Sequence, residues 1–327
     1  MWYKRLCYRI CMLYKWVLIM SKEKLDKLYD EKWELEAAVR KVNDETKVIK
    51  YDNIPQEIYI KVMGIAEDNN IDASDSSDLE WKIKEVREKV NELESAIYDL
   101  FSKLTQNPMA YLLNPSYLPQ ININCIDSKF CTIEKKIANV IKIKINSSHP
   151  DVVKNKIEEV LKTCKSSVKV RLDFNGILNF SEAKKIFHVI RNYNIDYVEQ
   201  PFAPKNLKDI TRLREITEVK IALDESVNDF FSIKNVVEKK IVDTIIIKPT
   251  LIGGFNDIKK INEYCKKNNV RIILTSSFET EIAQNYIIHL ISALEIKEYC
   301  GVANIELFSK SHHKRDDDKI TLPKLLR

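Results

Sequence analysis

Short runs of hydrophobic residues, each followed by a polar or charged position, recur along the chain beyond about residue 112. The runs that favour strands are QININCI (120–126), VIKIKIN (140–146), VKVRLDF (168–174), DYVEQPF (196–202), KIALDES (220–226), TIIIKPT (244–250), RIILTSS (271–277) and, more weakly, GVANIEL (301–307). Segments between them, such as EAKKIFHVIRNY, carry apolar residues at helical spacing. Strands that alternate with helices predict a parallel α/β sheet. Eight such runs favour a closed (β/α) barrel, although the pattern alone leaves an open sheet as the alternative.

The N-terminal third has a different pattern. Apolar residues at helical spacing predict a helix over 22–45 and a longer one from Ser77 to Leu104, with extended pieces between them. All four tryptophans lie in this part of the chain. This shift in composition places a domain boundary near residue 112. We therefore expect a smaller N-terminal domain over 1–112, the barrel over 113–310 and a short C-terminal tail over 311–327.

Composition and charge exclude several classes of protein. The net charge of +5 is the difference between 53 basic and 48 acidic residues, which is too even a balance to favour a nucleic-acid partner. The seven cysteines are scattered, and their spacing completes no zinc pattern. Free thiols are typical of a reducing compartment, so we expect a cytoplasmic protein.

The first twenty residues, MWYKRLCYRICMLYKWVLIM, contain no acidic residue. Arg9 and Lys15 interrupt the apolar run, which is therefore too short to span a bilayer. Two interpretations stay open. Residues 1–20 form a basic amphipathic helix that targets an organelle or touches a membrane surface, or they precede a true start at Met20. Membrane contact is expected only in the first case.

Charged residues stand at or near the carboxyl ends of five successive predicted strands. Their successive spacings are 29, 26, 25 and 24 residues, which is one strand-plus-helix unit each time; they are Lys144, Asp173, Glu199, Asp224 and Lys248. In a barrel the carboxyl ends of the strands form the rim that carries the active site. A single such residue is usually a turn former or a helix cap, but five in register indicate one shared pocket.

The residue types in this pocket indicate their chemistry. Three carboxylates on adjacent strands make a hard oxygen site suited to Mg²⁺, with Mn²⁺ as an alternative ion. A divalent cation stabilises the enediolate that forms when the carbon next to a carboxylate loses its proton. A lysine near a cation is able to act as the base. Lys144 and Lys248 flank the three carboxylate strands, so they would face each other across a small-molecule carboxylate substrate.

The residues also carry a family resemblance. The combination of IKIK (141–144), RLDFNG (171–176), VEQP (198–201), ALDES (222–226), IIKPTLIGG (246–254) and LTSSFET (274–280) resembles the muconate-lactonizing subgroup of the enolase superfamily. Within that subgroup, the last two motifs are most similar to the o-succinylbenzoate synthase family of menaquinone biosynthesis. The resemblance covers residues 113–308 and implies a (β/α) barrel with a smaller α+β capping domain.

This resemblance implies a role for each candidate residue. Asp173, Glu199 and Asp224 would bind Mg²⁺, Lys144 would take the α-proton, and Lys248 would stabilise the enediolate. The remaining residues would assist: Lys142, Ser276, Ser277, Gly253 and Gly254 by contacting the substrate, and Asn175 and Glu225 by orienting the metal ligands and lysines. Lys142 and Lys144 lie on the same side of their strand because side chains alternate.

The capping segment departs from the family pattern. Around Gly64 the sequence keeps little of the glycine-rich loop that closes over the substrate in relatives. Two alternatives to the synthase therefore remain. One is an N-acylamino acid or dipeptide racemase or epimerase, or a cycloisomerase, of the same superfamily, and the other is a non-catalytic descendant. Dipeptide epimerases usually carry an Asp-x-Asp near the last strand, and GVANIELF (301–308) has none. The sequence makes no prediction of oligomeric state.

Overall fold

A computed structural model describes residues 76–127, 135–277, 281–302, 314–316 and 318–322, together with Glu23, Lys24, Asp26, Lys27 and Asp30. The predictions for residues 1–20, for most of the helix over 22–45 and for the segment around Gly64 lie outside this part of the chain. The chain divides into two compact units, Met1–Tyr98 and Asp99–Arg327. This division precedes the boundary predicted near residue 112.

Strands and helices alternate along most of the described chain. In order, the strands are β1 (Gln120–Asn122), β2 (Cys125–Ile126), β3 (Val140–Lys144), β4 (Lys169–Asp173), β5 (Ile195–Glu199), β6 (Ile221–Leu223), β7 (Thr244–Ile247), β8 (Arg271–Leu274), β9 (Lys314–Asp316) and β10 (Lys319–Thr321). The helices are α1 (Ser76–Thr105), α2 (Met109–Leu113), α3 (Pro150–Leu161), α4 (Phe180–Ile190), α5 (Leu207–Ile216), α6 (Phe230–Glu238), α7 (Pro249–Ile252), α8 (Phe255–Lys267) and α9 (Glu281–Ala293).

Strands β2 to β8 form one parallel sheet in which each strand pairs with the next along the chain. Its strands are buried on both faces, as parallel sheets covered by helices are, and the whole of β7 is buried. The residues Ile245, Ile246 and Ile247 of this strand are at most 3% exposed. The parallel α/β fold predicted from the apolar runs is therefore confirmed.

Residues at and after Cys300 join the two edges of this sheet. The backbone N–H of Cys300 donates to Asn122 O (3.0 Å), and that of Gly301 donates to Leu274 O (2.9 Å). Parallel bridges pair Ile123 with Cys300 and Thr275 with Gly301. The sheet is thereby closed into a barrel, and the closing segment begins where the weakest predicted strand was placed; residues 303–307 of that prediction lie outside the described part.

The glycine at this closure has a steric reason. A Cβ atom on Gly301 would lie 2.6 Å from Thr275 Oγ1 and 3.0 Å from Thr275 Cβ. The first distance is shorter than Cβ atoms tolerate and the second is tight, so a side chain at position 301 would press against the side chain of Thr275.

Helices on the outside of the barrel begin at local caps. The Asn179 side chain accepts from the Glu182 N–H (3.0 Å), and the Glu182 side chain accepts from the Asn179 N–H (2.8 Å). Asp229 caps α6 in the same way, with Ser232 as its partner. These caps fix where each helix starts after its strand, and so they fix the loops at the barrel rim.

A second, antiparallel sheet has the order β1-β10-β9. Ile320 and Leu322 are buried, and the buried Asp318 accepts from the backbone N–H of Asn139 (3.1 Å). The segment predicted as a tail over 311–327 thus contains two paired strands. The predicted strand run at 120–126 is divided between the two sheets. No described helix is long and apolar enough to cross a membrane.

Candidate active site

Five charged residues lie at the carboxyl edge of the barrel sheet. Lys144 pairs in register with Asp173, Asp173 pairs with Glu199, and Glu199 pairs with Ala222, two residues before Asp224. Lys248 directly follows β7 and precedes α7. The structure therefore brings all five predicted residues to the same rim, on strands that are consecutive in the sheet.

Two lysines form ion pairs with the three carboxylates. The Nζ atom of Lys142 lies 2.7 Å from Glu199 Oε1 and 3.0 Å from Asp173 Oδ2. The Nζ atom of Lys248 lies 2.6 Å from Asp224 Oδ2. Each carboxylate thus faces a cation, which offsets the repulsion expected among three neighbouring negative charges.

Burial governs the electrostatics of these carboxylates. Asp173, Glu199 and Asp224 are 2%, 0% and 8% exposed. Burial raises the pKa of Glu199 to about 7; Lys142 opposes the rise, and Asp173 and Asp224 add to it. Burial also raises the pKa of Asp224, although Lys248 opposes it. Carboxylates kept out of water in this way are typical of functional sites.

The two lysines of β3 differ in depth. Burial would lower the pKa of Lys142, but Glu199 and Asp173 raise it well above its ordinary value. The Lys142 side chain is 15% exposed, whereas Lys144 is exposed at the end of the strand. Lys144 makes no side-chain hydrogen bond or ion pair within the described part of the chain. The structure therefore holds the predicted substrate contact, Lys142, against the carboxylates and leaves the predicted base at the rim.

Asn175 and Glu225, predicted to orient the ligands, lie together after β4 and β6. The backbone N–H of Asn175 donates to Asp173 Oδ1 (3.1 Å), and its side-chain amide donates to Glu225 Oε1 (3.1 Å). Asn175 has φ +45°, a left-handed conformation that asparagine tolerates better than most residues. The turn after β4 is thus tied both to the carboxylate that it follows and to the loop after β6.

The predicted substrate contacts lie on two further loops at the same edge. Gly253 ends α7 with φ +135°, a conformation open to glycine, and Gly254 caps α8 with its N–H donating to Asp257 Oδ2 (3.2 Å). Ser276 follows β8, and its backbone N–H donates to Gly301 O (3.0 Å). Ser277 is exposed beside it.

Sequence reasoning missed two buried amides near this rim. Gln200 directly follows Glu199 and is 0% exposed, and Gln284 of α9 is 1% exposed and donates to Ser276 Oγ (3.3 Å). The position of Gln200 between a carboxylate and a proline in VEQP was the available signal. For Gln284, which lies within an apolar helix, no comparable signal is present.

The donor atoms at this rim decide whether a divalent cation fits. Over the residues that the structure describes, no three Asp, Glu, His or Cys side chains are gathered closely enough to hold a metal ion. The Oε2 atom of Glu199 is nevertheless buried without a hydrogen-bond partner there. A buried carboxylate oxygen without a partner is costly unless a ligand satisfies it. The three donors are hard oxygens, which are the ligands that Mg²⁺ prefers, so their chemistry fits this ion.

Comparisons with known proteins place these motifs in a family. Residues 130–323 match the family model described as Enolase C-terminal domain-like. The chain is 26% identical over 231 residues to a hydrophobic dipeptide epimerase of Enterococcus faecalis, covering 65% of this chain and 64% of the relative. It is also 26% identical over 195 residues to an o-succinylbenzoate synthase of Thermobifida fusca, covering 59% of this chain and 58% of the relative. The chain thus spans less than two thirds of both relatives.

A solved structure shares the fold. The dipeptide epimerase from Enterococcus faecalis, solved in complex with Mg and the dipeptide L-Leu-L-Tyr, superposes with a TM-score of 0.61 and 21% sequence identity over 75% of each chain. The predicted barrel and the predicted superfamily are confirmed, and the chain belongs to the Enolase C-terminal domain-like family of the enolase superfamily.

Proposed function

We propose that the protein is an o-succinylbenzoate synthase, which removes water from 2-succinyl-6-hydroxy-2,4-cyclohexadiene-1-carboxylate. The observation that carries the proposal is the arrangement of the rim. On one side of three buried carboxylates lies the exposed Lys144, which makes no side-chain hydrogen bond or ion pair with the residues that the structure describes. Lys248 lies on the other side, ion-paired with Asp224 (2.6 Å). Members of this superfamily are enzymes, and this arrangement suits removal of a proton next to a carboxylate.

Asp173, Glu199 and Asp224 would hold Mg²⁺, or Mn²⁺ in its place. The ion would supply positive charge to the substrate carboxylate, where negative charge accumulates as the proton leaves. Binding by all three carboxylates would compete with their ion pairs to Lys142 and Lys248. We therefore expect these two ammonium groups to be displaced toward the substrate when the ion binds.

Lys144 would transfer the protons, and Lys248 would stabilise the charge that forms. The neutral amine of Lys144 takes the proton from the carbon next to the carboxylate, and the electron pair of that bond enters the enediolate. The same lysine, now an ammonium, returns its proton to the departing hydroxyl group on the same face. The products are water and the aromatic ring, and Lys144 is again neutral. Lys248 offsets the negative charge of the enediolate throughout.

Substrate contacts would come from the neighbouring loops. Ser276 and Ser277 present hydroxyl groups after β8, and the backbone of Gly253 and Gly254 leads into the N-terminus of α8, where the helix dipole favours anions. We assign the succinyl carboxylate to this side. Lys142 would contact the ring carboxylate.

A second candidate is an N-acylamino acid or dipeptide epimerase. The identity of 26% to a dipeptide epimerase equals the identity to the synthase, and this favours the epimerase as the alternative. Epimerases begin with the same proton removal and return the proton from the opposite face, where we expect Lys248. The absence of Asp-x-Asp from GVANIELF (301–308) counts against a dipeptide substrate. A non-catalytic descendant remains as an outcome of the test, and a cycloisomerase is the alternative if the chain binds Mg²⁺ but acts on none of the substrates tested.

The test is a comparison of substrates with the full chain in Mg²⁺. Loss of ultraviolet absorbance of the cyclohexadiene carboxylate, blocked by EDTA, is the expected result. In parallel, exchange of the α-proton of L-Ala-L-Glu, L-Leu-L-Tyr and N-succinyl amino acids is followed by proton NMR in D₂O. Exchange without dehydration would replace the synthase by an epimerase, and inactivity toward all of them, without Mg²⁺ binding, would indicate a non-catalytic barrel.

A further inference from the structure

Gln200 is a fully buried amide at the centre of the active-site rim. It directly follows Glu199 at the end of β5 and precedes Pro201. Its φ of +40° is a left-handed conformation that non-glycine residues rarely adopt. Such a conformation persists only where surrounding contacts enforce it, so its contacts indicate what it is held for.

The backbone of Gln200 joins the neighbouring strand ends. Its N–H donates to Ala222 O (2.9 Å), on β6, and its carbonyl accepts from the N–H of Gly176 (2.7 Å), in the loop after β4. Gly176 fits this contact because it has no side chain. A Cβ there would lie 3.1 Å from Phe202 O, and its φ of +78° also disfavours other residues.

The side chain of Gln200 joins the loop after β6 to the loop after β5. Its Oε1 atom accepts from the backbone N–H groups of Asp224 (3.1 Å) and Ser226 (3.2 Å). Its Nε2 atom donates to Phe202 O (2.7 Å) and to Ser226 Oγ (2.7 Å). Every polar group of this residue is therefore paired, and the pairs reach the loops after β4, β5 and β6.

These three loops are the ones that follow Asp173, Glu199 and Asp224. No other residue type offers an acceptor for two N–H groups and a two-proton donor at this length, because glutamate lacks the donor and asparagine is shorter. We propose that Gln200 is a positioning residue, which fixes the backbone of the carboxylate strands relative to one another so that their side chains converge on one cation. This inference rests on the proposed function, since that function assigns the cation.

The test compares Gln200→Met with the full wild-type chain in two measurements. The first is the affinity for Mn²⁺, titrated by calorimetry and by its electron paramagnetic resonance signal. Residues that orient metal ligands typically contribute 10–100-fold to affinity, and a loss of about this size is expected. The second is hydrogen exchange of the amides of Asp224 and Ser226, which does not depend on any metal. Their exchange should become faster in the variant.

Three further variants separate positioning from general stability. Gln200→Glu keeps the acceptor and should preserve the amide protection at Asp224 and Ser226 better than Gln200→Met. Ser226→Ala removes only one of the four side-chain hydrogen bonds of Gln200, together with the bond from Ser226 Oγ to Pro204 O (3.0 Å). It should weaken Mn²⁺ binding in the same direction but by less. Ile157→Val, a buried position of α3, should lower the melting temperature without changing Mn²⁺ affinity.

The outcomes distinguish this inference from the proposed function. Unchanged Mn²⁺ affinity in folded Gln200→Met overturns the positioning role. A loss of Mn²⁺ affinity no greater than that in Ile157→Val overturns it as well. If the wild-type chain binds no Mn²⁺, the proposed metal site is wrong, and so is the role of Gln200 in positioning its ligands. Hydrogen exchange then still decides whether Gln200 holds the loop after β6, and unaltered protection at Asp224 overturns that as well.

Discussion

Asp196 carries the buried ion pairs of β5 on the side remote from the rim. It is the second residue of this strand, and its Oδ2 atom lies 2.8 Å from Arg171 Nε while its Oδ1 atom lies 2.9 Å from Arg271 Nη1. The side chains of Asp196 and Arg171 are 6% and 1% exposed, and that of Arg271 is 25% exposed. One carboxylate therefore pairs with two arginines. Arg271 also pairs with Glu298 Oε2 (3.3 Å), whereas Arg171 has almost no access to water.

Replacing this carboxylate should be costly. Asp196→Asn keeps the shape of the side chain but leaves Arg171 with a buried positive charge, and breaking a buried ion pair from one side costs about 3–5 kcal/mol. Arg171 retains its hydrogen bonds to Asn124 Oδ1 (3.2 Å) and Tyr299 O (2.6 Å). Because Arg271 is partly exposed, water screens the positive charge that it would be left with. We therefore expect a loss near the lower end, about 3 kcal/mol.

The dependence of this loss on pH has a definite sign. Burial alone would raise the pKa of Asp196, but Arg171 and Arg271 lower it below its ordinary value. A carboxyl group with a depressed folded pKa stabilises the fold fully above its unfolded pKa of about 3.9. That stability is lost as the pH falls through the folded value. The difference between wild type and Asp196→Asn should thus be equal at pH 7 and pH 5, and smaller at pH 3.

Urea unfolding followed by circular dichroism measures these free energies. The control is Glu88→Gln, because Glu88 faces Lys84 at 4.0 Å across a solvent-exposed helix surface and such pairs contribute at most about 0.5 kcal/mol. A loss below about 1 kcal/mol in Asp196→Asn would show that the arginines find other partners. A difference that grows at pH 3 would refute the depressed pKa.

Further predictions concern the rim, the closure and the thiols. Lys144→Ala should lower turnover by at least about 100-fold, the range of one acid–base group, and leave the Mn²⁺ affinity measured by calorimetry unchanged. Glu199→Gln should weaken that affinity itself. Equal losses of affinity in both variants would contradict the assigned roles. Gly301→Ala should lower the unfolding free energy by about 1–3 kcal/mol through overpacking at the barrel closure, and an unchanged urea midpoint would show that the closure is not tight. Burial raises the pKa values of Cys265 and Cys300 to about 12, so both should react with a thiol reagent such as iodoacetamide only after unfolding. Rapid labelling of either residue in the native protein, located by mass spectrometry of its peptides, would contradict this.

The barrel could be predicted from the sequence because each of its signals is local. A buried parallel strand requires a continuous apolar run such as TIII, and a residue at its end faces the rim whatever the rest of the chain does. Strand β7 and the position of Lys248 follow from this rule alone. The five charged residues were therefore found from spacing, without knowledge of any contact.

Features that depend on distant partners could not be predicted in this way. The run at 120–126 has one alternating pattern, yet it is divided because β1 pairs with β10, almost two hundred residues later in the chain. Pairings such as Gln120 with Thr321 leave no trace in either local pattern. Gln200 was missed for a similar reason. Its place in VEQP marks the position, but its role depends on four side-chain hydrogen bonds to other loops, which the local pattern does not show.

The two lysines of IKIK show how depth assigns different roles to equal residues. Both lie on the same side of β3, and the sequence assigned the base to Lys144 from its place at the strand end and from the family resemblance. In the structure Lys142 lies two residues deeper, where Glu199 and Asp173 hold its ammonium at 2.7 and 3.0 Å. A base must reach the substrate and accept its proton. An ammonium group held by two carboxylates is poorly suited to either. Lys144, exposed at the strand end, meets this requirement, so Lys142→Ala should impair the carboxylate cluster and Lys144→Ala the proton transfer alone.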